Sequence, residues 1–234
     1  MHDAILRQAV STILAWPLSG HERMAGEAAA TTLLRVEVGG VLGRASPEER
    51  ERIKSVLRSM SGFVQSADID DAVTGGHWRP WGQMQHFMRY PGRTVADSVR
   101  MAVNALWSYT EEAVFLFRRG NTLGAKSSLG RALHGLQDSF SPAHVKRVKG
   151  DDGVWVIKDV FEYTAQDSSE HERGDEKYKT GEAEQSSLTE LGQATVLASQ
   201  LLLSYFVQRV LGLASEAGQT RQTLEGAYLR EEAS

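Results

Sequence analysis

Apolar residues recur at helical spacing through almost the whole of this chain, and that pattern constrains the fold more than any other feature. Val95, Val99, Ala102, Val103, Leu106, Thr110, Ala113, Val114 and Phe117 follow the i, i+3, i+4 spacing of one helix face, and Gly120 closes the run. The same periodicity predicts helices over residues 3–16, 22–42, 47–65, 94–119, 122–140 and 188–213. Pro47 suits a first turn and Ser46 before it a cap. Alternating strand patterns are nearly absent, so the expected architecture is all-α. A length of 234 residues needs only one core, and residues 1–234 read as a single domain.

Two segments break the helical pattern. Residues 68–94 read as a long loop with four Gly and two each of Pro, Trp and His, and loops of that length inside a compact domain usually carry function. Residues 149–163 suggest a short hairpin around Val154 to Ile157, because Asp152-Gly153 supplies turn chemistry. Composition then narrows the chemistry. The net charge of −4 gives no basic field to gather nucleic-acid backbones. Cysteine is absent, which removes disulfides, thiolate metal sites and thiol nucleophiles together. The most apolar window, ATVLASQLLLSYFVQRVLGLA, is interrupted by Gln200, Gln208 and Arg209, so no transmembrane segment is expected. The opening MHDAILRQAVSTILAW enters an amphipathic pattern directly, with no secretory signal visible. The expectation is export or delivery by another route, as a toxin or effector domain, or a module of a longer polypeptide.

The chemistry concentrates in LGRALHGLQDSFSPAHV. His134 and Asp138 lie one helical turn apart, so both leave the same face, and Pro142 ends the helix and returns His144 toward it. Imidazole nitrogen and carboxylate oxygen suit a borderline cation such as zinc. His171 and Asp175 repeat the four-residue interval, and two such pairs say more than one, since a lone pair is also an ordinary surface contact. There are seven histidines in all. His2 opens the first expected helix and His86 sits in the Trp-rich loop; His21 and His77 lack the spacing and read as surface or loop residues. Among Asp68, Asp70 and Asp71 the favoured ligand is Asp70, with solvated or capping roles for the others. Trp78, Trp81 and Phe87 flank the site, either as loop packing or as an aromatic rim for an acyl chain or a base.

The order of His2, the Asp before "HF" at His86, "ALHGLQDSFSPAH" ending at His144, and His171-x-x-x-Asp175 resembles the zinc-dependent phospholipase C superfamily. That group also holds the single-strand-specific nucleases and a branch with fungal heterokaryon-incompatibility proteins of the C type. The resemblance implies a helical bundle with long metal-binding loops holding two or three zinc ions. Asp70, His86, His134 and Asp138 would surround one ion and His144, His171 and Asp175 a second. Asp138 would bridge to a third with His2, and Asp70 would also handle the nucleophilic water. Asp175 stands where the phospholipases usually have Glu, and no amino-terminal Trp precedes His2. The implied activity is hydrolysis of phosphodiester bonds, first of phospholipid head groups at a membrane surface. The alternatives are a nuclease acting on single strands and a non-enzymatic, metal-stabilised interaction module.

Overall fold

The computed structural model describes residues 20–67, 69, 79–150, 152–162 and 189–232. Among these the chain forms eight α-helices and one two-stranded sheet, an all-α fold. The helices are α1 (Gly20–Val38), α2 (Pro47–Arg58), α3 (Met60–Phe63), α4 (Pro80–Gln85), α5 (Val95–Arg118), α6 (Thr122–Asp138), α7 (Glu190–Val210) and α8 (Ala214–Tyr228). The strands are β1 (Val145–Lys149) and β2 (Trp155–Val160).

Local chemistry explains most boundaries. Ser46 Oγ accepts from the Glu49 amide at 3.1 Å, with Pro47 in the first turn of α2. Thr94, Asn121 and Thr189 cap α5, α6 and α7 in the same way. The helix expected over 22–42 stops at Val38, because Gly39 is followed by Gly40 in the left-handed region, and the chain continues as a 3-10 turn. The helix expected over 47–65 divides at Ser59, whose hydroxyl donates back to the Val56 carbonyl at 2.8 Å. The helix expected over 3–16 lies outside the described residues.

The expected hairpin is present. Val145 pairs with Val160 and Lys149 with Trp155, antiparallel, with a bulge between Lys146 and Arg147. The segment after α8 runs along β2: Ile157 donates its amide to the Arg230 carbonyl at 2.9 Å, and Glu232 donates to Ile157 at 2.8 Å.

The buried faces of these helices and strands join one hydrophobic cluster. The most extensive helix contact is between α5 and α6, while α7 packs on α1 and α8. Helix α6 is the central element. Leu129, Ala132, Leu133 and Leu136 are almost wholly buried, and so are His134, Gln137 and Asp138 near its carboxyl end. Among the described residues no helix is long and apolar enough to cross a membrane.

Candidate metal centre

Two glycines let other elements reach the polar end of α6. A β-carbon on Gly130 would lie 2.0 Å from the Phe63 carbonyl oxygen, and one on Gly135 would lie 2.5 Å from that of Gln85. No side chain fits at either position. The end of α3 therefore seats against α6, placing the Val64 carbonyl oxygen 3.1 Å from His134 Nδ1. The end of α4 seats one turn further on and brings His86 to the same face. There Phe87 turns the chain with φ of 51°, in the left-handed region a bulky residue rarely adopts. That turn leaves the His86 carbonyl facing His144 Nδ1 at 2.5 Å.

The result is one carboxylate among four imidazoles. Asp138 Oδ1 lies 3.3 Å from His21 Nε2. Asp138 Oδ2 lies 2.9 Å from His86 Nδ1, 3.1 Å from His134 Nε2 and 3.7 Å from His144 Nδ1. His134 Nε2 is also 3.1 Å from His86 Nδ1. The His21 and His134 rings stack at 4.5 Å, and His21 Nδ1 lies 2.8 Å from Gln137 Oε1. Every one of these five residues is at most 6 % exposed. Burial alone would raise the Asp138 pKa. The charges of His134 and His144 and the hydrogen bonds from His134 and His21 outweigh it, and hold the carboxyl well below its ordinary value.

His21, His134 and Asp138 form a buried group that can hold a metal ion, with one ligand atom from each and all three atoms within 4.8 Å of one another. The donor chemistry fits. His134 gives its Nδ1 proton to the Val64 carbonyl, so Nε2, which faces Asp138 Oδ2, is the nitrogen that would give up its proton and present a lone pair to a cation. Ligands at tetrahedral zinc distances are themselves about 3.3 Å apart, close to the spacings found.

Of the ligands expected from sequence, His86, His134, Asp138 and His144 come together here. His2, Asp70, His171 and Asp175 lie outside the described residues, as do Asp68, Asp71, His77 and Trp78. Two expectations are corrected. His21 is not a surface histidine: it is 6 % exposed, within the first turn of α1, and faces Asp138 Oδ1. Its missing signal is an acidic partner on its own helix, since both of its named partners lie on α6. Phe87 does not form an aromatic rim; it is 1 % exposed and part of the hydrophobic cluster, while Trp81 is half-buried.

Comparison with protein-family models, curated proteins and solved structures gives no match.

Proposed function

We propose that the chain is a zinc-dependent phosphodiesterase of the phospholipase C kind, acting on phospholipid head groups. The observation that carries the metal reading is the His134 ring, whose Nδ1 is committed to the Val64 carbonyl while its Nε2 faces a buried carboxylate within the His21, His134 and Asp138 group. A second feature supports more than one ion: Oδ1 of Asp138 faces His21 while Oδ2 faces His86 and His134, the division that a bridging carboxylate makes. Asp70, His171 and Asp175 complete the proposed set from sequence order.

When bound, zinc supplies a water acidic enough to yield hydroxide near neutral pH and a Lewis acid for phosphoryl oxygens. The protein's own residues then do the rest. Asp138 holds its imidazoles in one arrangement, Val64 and the His86 carbonyl fix the ring protons of His134 and His144, and the apolar surroundings exclude bulk water. Asp70 is proposed to orient and deprotonate the attacking water. The acidic net charge favours a lipid over a nucleic-acid substrate.

The test pairs metal analysis with two assays, head-group release from phosphatidylcholine liposomes and cleavage of single-stranded DNA, each with and without chelator. Chelator-sensitive head-group release with more than one zinc per chain supports the proposal. Nucleic-acid cleavage alone replaces the lipid substrate with the nuclease alternative. Folded protein that takes up no zinc and shows no change in melting temperature on zinc addition leaves the non-enzymatic module.

A further inference from the structure

Gln137 is wholly buried beside Asp138. His134, Gln137 and Asp138 lie at i, i+3 and i+4 of α6, so all three meet whatever packs on that face. What packs there is His21, at the start of α1. Its ring stacks on His134 with 22° between the planes, its Nδ1 lies 2.8 Å from Gln137 Oε1, and its Nε2 lies 3.3 Å from Asp138 Oδ1. Three residues of one helical face thus fix the plane and both nitrogens of an imidazole from another helix.

The direction of the amide decides what that imidazole can do. An amide oxygen only accepts, so Nδ1 keeps its proton, and Nε2, which faces the carboxylate, is the nitrogen that can exchange its proton for a cation. With the amide reversed, its NH2 group would donate to Nδ1, the proton would move to Nε2, and His21 would give Asp138 an ordinary hydrogen bond with no place for a metal. From this, and resting on the metal reading above, we infer that Gln137 is a positioning residue that sets the His21 tautomer and so makes His21 a cation ligand through Nε2. The Gln137 Nε2 atom makes no hydrogen bond. Replacing it with an oxygen therefore breaks no bond, whereas removing Oε1 releases His21.

The experiment compares wild type, Gln137→Leu and Gln137→Glu. Zinc affinity is read by competition with a chromophoric chelator, and the tautomers by long-range 15N–1H spectra of the zinc-loaded protein. Wild type is expected to show the His21 proton on Nδ1. Gln137→Leu should bind zinc about 10–100-fold more weakly, and Gln137→Glu, which keeps the acceptor, should stay within a few-fold of wild type. Equal zinc affinity in wild type and Gln137→Leu overturns the positioning role while the metal reading stands. A His21 proton on Nε2 in the wild type also overturns it, and needs no variant to fold. Wild type that binds no zinc overturns both.

Discussion

The carbonyl oxygen of Gln85 lies 2.5 Å from the point where a β-carbon on Gly135 would stand. That approach sets His86, the next residue after Gln85, against Asp138. Gly135→Ala gains about 1 kcal/mol of helix propensity, but the extra carbon forces the backbone apart at an overpacking cost of about 1–3 kcal/mol. The expected result is unchanged or lower stability together with weaker zinc binding. Gly218 in α8 has nothing within 4 Å of its β-carbon position, and Gly218→Ala should stabilise by up to about 1 kcal/mol. Denaturant melts and zinc titrations of both variants check the contrast; wild-type zinc affinity in Gly135→Ala would show that the approach does not position His86.

Zinc should raise the melting temperature of the wild type, because a ligand that binds only the native state stabilises it. At a free concentration one hundred times Kd the gain is about 2.7 kcal/mol, or roughly 5–10 °C for a domain of this size. His21→Ala removes the nitrogen facing Asp138 Oδ1, and should reduce that shift by weakening zinc at least tenfold. Thermal melts over a zinc series decide the matter. An equal shift in His21→Ala would exclude His21 as a ligand.

How far the sequence revealed this centre depends on where each partner sits in the chain. His134 and Asp138 are one turn apart, and His144 follows a helix stop, so local geometry was enough to bring them together. His21 was invisible for the opposite reason: its contacts with Gln137 and Asp138 depend on α1 packing against α6, which spacing along one helix cannot report. The fold divides in the same way. Helix α5 shows its buried stripe in the sequence, whereas α8 buries only Ala217 and Leu224 within its span and left no periodic signal. Helix α4 was hidden inside what read as one loop, because six residues are too few to show a period.

Glu111 ties α5 to α7 and should carry a measurable part of the acid sensitivity. It accepts from Arg209 at 3.0 Å and 2.7 Å and from the Tyr205 hydroxyl at 2.5 Å. Burial pushes its pKa up, but the bonds from Arg209 and Tyr205 outweigh burial and leave it below the ordinary value of 4.5. A carboxyl lowered in the folded state stabilises the fold above its unfolded value, and that contribution is lost as pH falls through the folded value. Because the group is only partly buried, it is worth about 1 kcal/mol at most. Glu111→Gln should be less stable than wild type at neutral pH, and the two should converge in acid below 4.5. Parallel denaturant melts from neutral pH into acid test this, and a difference that persists at low pH would assign the loss to packing.

Arg147 closes the loop that carries His144. Its Nε donates to the Ser139 carbonyl at 2.7 Å, Nη2 to Ser139 Oγ at 3.1 Å and Nη1 to the Trp155 carbonyl at 3.1 Å, while its guanidinium lies 4.0 Å over the Phe140 ring. Ser139 follows Asp138 directly, so this one side chain ties the end of α6 to both strands. Burial lowers its pKa to about 9, which leaves it charged at neutral pH. Arg147→Met keeps the apolar stem but loses the charged fork, and should cost about 2–4 kcal/mol, since hydrogen bonds from a charged group are worth about 1.5–3 kcal/mol each and do not add fully. Arg147→Lys should recover less than half of that loss, because one ammonium cannot reach three acceptors set for a planar fork. Denaturant melts give the stability, and zinc titrations of the same samples show whether loosening this tie also weakens the cation site. Full stability in Arg147→Lys would show that charge alone, not the fork, holds the hairpin to α6.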